Sequence, residues 1–293
     1  MAVILITGAT SGIGLETALE FAKRDDHVIL AGRNRRKIDD AIEKIAKVAP
    51  KATLDQVVFD LSEVGSVLMA AIELKARFDR IDILINNAGV MAIPMRMETN
   101  DGFESQFATN HLGHFVLTAG LYDLLLESNS PRVVTVSSMV AKFGTIDFDD
   151  LNANENYSPW KSYSQSKLAN LLFARELSKR AMANSDPIIS LSSHPGYSAT
   201  NLSFNGPRIG KGTPGVLKLL QPLIAQRPCM GARPSIMAAT SSIENWTYFG
   251  PRGPFGLRGK PTVVSPPPKA LDDVAGERLW NISEEMTKTT FGI

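Results

Sequence analysis

Tyr163 and Lys167 stand four residues apart in the segment Tyr163-Ser164-Gln165-Ser166-Lys167. On a helix that spacing puts both side chains on one face, one turn from each other. A free tyrosine, with a pKa of about 10, is a poor acid at neutral pH. A neighbouring ammonium stabilises the phenolate and lowers that value. The tyrosine can then give a proton to a carbonyl oxygen as hydride arrives, or remove one in the reverse direction. A serine hydroxyl bonded to the same oxygen would hold it where charge develops. Ser137 and Ser138 both follow an apolar run and both offer that hydroxyl. Successive strand residues point to opposite faces, so only one of the two can meet the tyrosine.

A second constellation suits a nucleotide. Thr7-Gly8-Ala9-Thr10-Ser11-Gly12-Ile13-Gly14 directly follows the first apolar run and opens a helix-period segment. Glycines allow a sharp turn and a close phosphate. The helix N-terminus adds free N–H groups and positive potential for a pyrophosphate. Gly8, Thr10, Ser11, Gly12, Ile13 and Gly14 are therefore candidate cofactor contacts. The second apolar run ends in Ala31-Gly32-Arg33-Asn34-Arg35-Arg36-Lys37, with no acid before Asp39. A site for NAD usually has an acid there for the ribose hydroxyls, whereas an arginine fork suits a 2′-phosphate. The expected cofactor is NADP(H), with Arg33 as its main phosphate contact and Asn34 beside it.

These groups must be placed by strand ends and helix starts. Six short apolar runs, Val3–Ile6, His27–Ala31, Gln56–Phe59, Ile83–Ile85, Arg132–Val136 and Ile188–Ser192, read as strands buried on both faces. Between them lie helix-period segments at Ile13–Ala22, Lys37–Val48, Val64–Arg77, Asp101–Glu127 and Ser162–Met182. The alternation predicts right-handed crossovers and an α/β, Rossmann-type doubly wound parallel sheet with helices on both faces. The tail differs, since 11 of the 17 prolines lie at or beyond Pro207. That density argues against regular structure from Gly206 to Pro268. Helices are still expected from Thr213-Pro214, over Gly231–Ser241, and from Leu271 to about Met286. The chain 1–293 reads as one NAD(P)-binding domain, with 201–268 as an irregular C-terminal substrate lid over the strand ends.

The glycine spacing is GxxxGxG after a threonine. Further along come Asn86-Asn87-Ala88-Gly89, Asn110, Ser137-Ser138, the YxxxK of Tyr163–Lys167, and Pro195-Gly196-Tyr197-Ser198-Ala199-Thr200. In this order the chain resembles the short-chain dehydrogenase/reductase family. The segments Ser166–Leu177 and His194-Pro195-Gly196 look most like its branch of retinol dehydrogenases and carbonyl reductases. The resemblance implies that Ser138 rather than Ser137 joins Tyr163 and Lys167 in catalysis. It implies that Lys167 also binds the nicotinamide ribose, and that Asn110 holds a water linking Lys167 to solvent. It adds Asp60, Leu61, Asn87, Ala88, Gly89, Tyr163, Lys167, Pro195, Gly196 and Thr200 to the cofactor contacts. Ser138, Tyr163 and Tyr197 are the expected substrate contacts. The stretch before Tyr163 is longer than is common in the family, and the insert, 144–161, is expected as a loop at the pocket rim.

Composition sets the outer limits. The formal charge of +1 argues against nucleic acid or an anionic membrane surface as partner. A single cysteine and four scattered histidines argue against disulfides and against a metal site. No basic leader or long apolar span is visible, so a cytoplasmic protein is expected. His111, His114 and His194 read as packing or loop histidines, and Met91, Met95 and Met97 as pocket lining or core. The expected activity interconverts a ketone or aldehyde, apolar in character, with its alcohol. A double-bond reductase of the protochlorophyllide-reductase type and a non-catalytic NADP sensor are the alternatives. The family often dimerises through its two long helices, an arrangement the insert could block, so monomer and homodimer are both left open.

Overall fold

A computed structural model describes residues 1–197, 226–243 and 246–293. Strands β1 (Val3–Thr7), β2 (His27–Gly32), β3 (Thr53–Val58), β4 (Ile83–Asn86), β5 (Arg132–Val136) and β6 (Ile189–Ser193) are all parallel. Helices α1 (Gly12–Ala22), α2 (Arg35–Val48), α3 (Val64–Arg77) and α7 (Pro159–Ala183) connect or cover them. Two further strands, β7 (Tyr248–Pro251) and β8 (Pro261–Val263), complete the sheet order β3-β2-β1-β4-β5-β6-β7-β8. The order reverses between β1 and β4, and at such a switch point a crevice opens beyond the strand ends.

The interior strands are apolar on both faces because helices cover both. Ile4 and Ile6 of β1 pack with Phe21 of α1 and Ile38 and Ile45 of α2. Leu5, between them, faces Val67 of α3 and Phe173 of α7. The outer strand β3 starts earlier than its apolar run suggests. Its register is set by pairing with β2, from His27 opposite Thr53 to Gly32 opposite Val58, and its polar Asp55 is bonded to His27 and Arg77. An edge strand needs no apolar face toward solvent, so the run of hydrophobic residues misplaces it.

The segment expected as one long helix, Asp101–Glu127, is broken. Glu104 caps its start, accepting from the backbone N–H of Gln106 and Phe107 at 2.9 and 2.8 Å. After α4 (Ser105–Phe107) comes a π-helical turn, Ala108–Leu112, then α5 (Gly113–Gly120) and α6 (Tyr122–Leu126). Asp101 instead accepts from the N–H of Val64 and so serves the start of α3.

The proline-rich tail is more regular than its composition suggests. Helix α8 (Pro228–Thr240) opens on a proline, which fits a first helical turn. β7 extends the sheet in parallel, and β8 pairs antiparallel at the outer edge, with Pro251 opposite Pro261. Pro261 lies on the edge strand, and Pro251 stands two residues past Phe249, the last residue of β7 paired with β6, so neither missing donor breaks a ladder bond. Helix α9 (Asp273–Thr287), capped by Asp272, packs along α7. The helix expected at Thr213-Pro214, and Thr200 with it, lie outside the described residues. No helix among those described is long and apolar enough to cross a membrane.

Candidate active site

A cleft of about 460 Å³ opens at the carboxyl ends of β1, β4 and β5. One wall is the glycine loop. Its Gly8 and Ala9 N–H groups donate to Ala31 O at 2.9 and 3.3 Å, which ties the loop to β2. A Cβ on Gly14 would lie 2.3 Å from Gly8 O, so only glycine lets the start of α1 pass this close. Ser11, the N-cap of α1, makes no side-chain capping bond, and the first-turn N–H groups face the cleft uncapped. This arrangement fits a pyrophosphate.

Next to the loop, the turn after β4 is held by Thr7. Its hydroxyl accepts from the N–H of Asn87 and of Ala88, both at 2.9 Å, and Asn87 Nδ2 donates to Thr7 O at 2.8 Å. Arg33 is exposed at the cleft edge, with Nη1 3.7 Å from Asp60 Oδ2. Asp60 also accepts from the backbone and hydroxyl of Ser62. Asn34 does not line the cleft; its side chain caps α2, accepting from Lys37 N at 3.1 Å. That role follows from its position one residue before the helix.

The opposite wall carries the titratable groups. Tyr163 and Lys167 are both buried and one helical turn apart on α7. Lys167 Nζ donates to Val136 O at 3.1 Å, and Asn170 Nδ2 to the same oxygen at 3.1 Å. The end of β5 is thus bolted to α7. Ser137 points away from the tyrosine, giving its hydroxyl to Lys167 O at 2.6 Å. Ser138 faces the cleft and bonds Tyr163. Burial pushes the Tyr163 phenol up to about 12, with the Ser138 bond opposing, and pushes the Lys167 ammonium down to about 8. The lowering expected from the lysine charge is not what this site shows: desolvation raises the phenol, and the opposing effect comes from Ser138. At neutral pH the phenol is protonated and the lysine charged.

The substrate side is lined by Met91, Met139, Val140, Trp160 and Tyr197. Trp160 stands edge-on to Tyr163, ring centroids 6.1 Å apart. Of the insert expected at the pocket rim, 144–161, only Trp160 lines the cleft, and the last three residues already belong to α7. Asp147 N donates to Gln165 Oε1 at 2.9 Å, Gln165 Nε2 to Leu151 O at 3.1 Å, and Leu151 and Ala153 are buried against α7. The insert is tied to α7 through Gln165 and through the ion pair of Asp147 with Lys161 at 3.1 Å, next to Trp160. Tyr197 is held from the tail, its N–H donating to Leu257 O at 2.8 Å. Directly before it, Gly196 has φ +65°, and a Cβ there would lie 2.4 Å from Leu257 O.

Residues 2–205 match the family described as short chain dehydrogenase. The chain belongs to that family. Retinol dehydrogenase 14 of Homo sapiens is 38% identical over 301 residues, spanning 97% of this chain and 85% of its own length. The short-chain dehydrogenase TIC 32 A, chloroplastic, of Brassica napus is 36% identical, spanning 97% of this chain and 88% of its own. The solved structure of an uncharacterized protein from Mycobacterium paratuberculosis is 40% identical, with a TM-score of 0.81, covering 100% of this chain and 96% of the other. A Shigella flexneri short chain dehydrogenase solved complexed with NADP shares the fold at 21% identity, with a TM-score of 0.66, covering 84% of this chain and 95% of the other.

In this short-chain dehydrogenase most residues expected at the site do meet in one cleft. They are Gly8, Thr10, Ser11, Gly12, Ile13, Gly14, Arg33, Asp60, Leu61, Asn87, Ala88, Gly89, Ser138, Tyr163, Lys167, Pro195, Gly196 and Tyr197. Asn110 is buried behind the cleft rather than in its lining. Its Oδ1 accepts from Val90 N, its Nδ2 donates to Val90 O and Ser166 Oγ, and its own carbonyl bonds the His114 ring. Met95 and Met97 are exposed, neither core nor lining, while Met91 lines the cleft. His111 packs among Phe107, Phe115 and Phe173, and His194 accepts from Gly196 N. Val90, Thr109, Met139, Val140 and Trp160 line the cleft without having been singled out from sequence. Trp160 was detectable, being three residues before Tyr163 on the same helix.

Proposed function

We propose that this protein is an NADP-dependent oxidoreductase that interconverts a ketone or aldehyde with an alcohol, Tyr163 serving as general acid and base. The observation that carries this reading is the convergence of Ser138, Tyr163 and Lys167 on one cleft whose other wall is an uncapped glycine-rich helix start. NADP(H) bound there supplies or accepts the hydride. The pyrophosphate is assigned to the loop from Gly8 to Gly14, the 2′-phosphate to Arg33, and the nicotinamide side to Asn87-Ala88-Gly89 and Pro195-Gly196. Ser138 holds the substrate oxygen, and Tyr163 gives it a proton in reduction. Val140 N donates to Ser138 Oγ at 3.4 Å, and the serine hydroxyl, bonded to Tyr163 in this structure, would turn its hydrogen to the substrate oxygen. Lys167 stabilises the phenolate that remains. The NADP complex of the Shigella flexneri neighbour is a likeness of fold alone, so the cofactor choice rests on Arg33 and the absence of an acid before Asp39.

We further read the chain as one domain with a substrate lid within 201–268, a stretch of which α8, β7 and β8 belong to the helix layer and the sheet. The apolar lining from Met91, Met139, Val140 and Trp160 favours an apolar substrate, in keeping with the retinol dehydrogenases among its relatives. The test is NADPH oxidation against a panel of ketones, aldehydes and enones, with product analysis. Alcohol formation supports the reading. Saturation of a carbon–carbon double bond alone makes the protein a double-bond reductase, and binding without turnover makes it a sensor.

A further inference from the structure

His114 is buried and absent from the cleft lining, yet it stands between the two walls. Its Nδ1 lies 3.0 Å from the backbone oxygen of Asn110, and its Nε2 lies 2.9 Å from the Thr7 hydroxyl. A carbonyl oxygen only accepts, so the ring proton sits on Nδ1 and Nε2 keeps its lone pair. The Thr7 hydroxyl then donates to Nε2, the nearer of its two acceptors; Ile85 O is 3.3 Å away. Its own oxygen accepts from Asn87 N and Ala88 N. One hydrogen and two lone pairs are thereby used in a single geometry.

At the other end, the Asn110 side chain clamps Val90 on both its N–H and C=O, at 2.8 and 3.0 Å, and donates to Ser166 Oγ at 2.8 Å. Ser166 in turn donates to Tyr163 O at 2.9 Å. A continuous path runs from the end of β1, through the turn after β4, to the helix that carries the tyrosine and lysine. The π-helical turn that holds Asn110 sits in the middle of it.

We infer that His114 is a positioning residue whose ring ties Thr7 and the Asn87-Ala88 turn to Asn110, holding the cofactor wall and the proton-transfer wall in register. A protonated ring could not do this, because an Nε2–H would meet a hydroxyl oxygen already accepting two bonds. Burial pushes this histidine down to about 4, the Asn110 bond opposing and the Lys167 charge adding to the fall, which keeps it neutral. The kinetic consequence rests on the proposed oxidoreductase activity; the tie itself does not.

Three variants of the full chain test it. His114→Phe keeps the ring and removes both bonds. His114→Asn offers an amide donor near the place of Nδ1 and restores only the bond to Asn110. His111→Phe alters a second buried histidine of the same segment, one with no bond to the path. In His114→Phe, amide hydrogen exchange at Asn87, Ala88 and Val90 rises and kcat for carbonyl reduction falls, each by roughly tenfold, the scale of one net hydrogen bond. His114→Asn recovers part of kcat but leaves exchange at Asn87 and Ala88 fast. His111→Phe changes neither. Wild-type exchange and kcat in His114→Phe would overturn the inference. So would equal losses in all three variants that follow their melting temperatures. A wild-type protein without carbonyl turnover would sink the proposed function instead, and the exchange comparison would still decide the tie.

Discussion

On the cofactor wall, position is set by backbone: glycine N–H groups bonded to β2, a Cβ-free contact at Gly14, and a turn pinned by the Thr7 hydroxyl. On the substrate wall the described lining is methionine, valine, tryptophan and tyrosine side chains, held by the 144–158 loop and the tail around Leu257. The first wall leaves little freedom, because a phosphate needs several donors at fixed spacing. The second needs only apolar volume, which many side chains can supply. Changes on the cofactor wall should therefore cost much and act on binding of one ligand. Changes on the substrate wall should cost less and act selectively between substrates.

The largest expected effect spares neither wall. His114 backs the cofactor wall and His194 the turn that carries Tyr197, and burial holds both down to about 4; His111, in the core, is held to about 3. In the unfolded chain each titrates at about 6.5. Below that pH the unfolded state takes up protons that the native state refuses. Stability is thus full above pH of about 6.5 and falls by up to about 1.4 kcal/mol per unit for each histidine down to about pH 4. Melting temperatures between pH 7.5 and 5 measure this; a flat profile would mean that the histidines are accessible.

Gly14→Ala comes next. The new Cβ meets backbone rather than a movable side chain. Overpacking of about 1–3 kcal/mol corresponds to NADPH binding roughly 10- to 100-fold weaker, read by fluorescence titration. Unchanged affinity would show that the wall is softer than its geometry suggests. Arg33→Ala follows. A charge-assisted bond of about 1.5–3 kcal/mol is a preference of about ten- to a hundredfold for NADPH over NADH. The arginine is largely exposed and shares Asp60, which points to the lower end. kcat/KM with NADPH should fall and the NADH value hold; equal losses with both cofactors would make the basic run a solvated helix start. The smallest effect is Trp160→Ala. KM for bulky apolar carbonyls should rise roughly threefold to tenfold, the scale of an aromatic contact, with NADPH affinity unchanged. A loss of NADPH affinity there would break the contrast between the walls.

The same contrast explains what could be read from the chain alone. β1, β4 and β5 are continuous apolar runs because helices cover both faces, and the glycine loop and Tyr163–Lys167 pair are local patterns. Ser138 needed the resemblance, since alternation along the strand gives two equivalent choices. The apolar pattern found β3 but placed its start three residues late, because an edge strand carries polar residues; β7 and β8 eluded it because their register depends on β6 and on each other. Asn34, expected beside the phosphate, caps α2, as its place one residue before the helix dictates. Asn110 and His114 meet one turn apart, but their partners Val90, Ser166 and Thr7 lie 20, 56 and 107 residues away, which no local spacing reveals.

The central claim is that one hydroxyl on the substrate side carries the proton while the cofactor wall binds independently of it. Tyr163→Phe keeps the ring against Trp160 and removes that hydroxyl. NADPH oxidation with a carbonyl substrate should fall by roughly 10² or more, the scale of a general acid, while the dissociation constant for NADPH stays within about a factor of two of wild type. Turnover close to wild type in this variant would contradict the account.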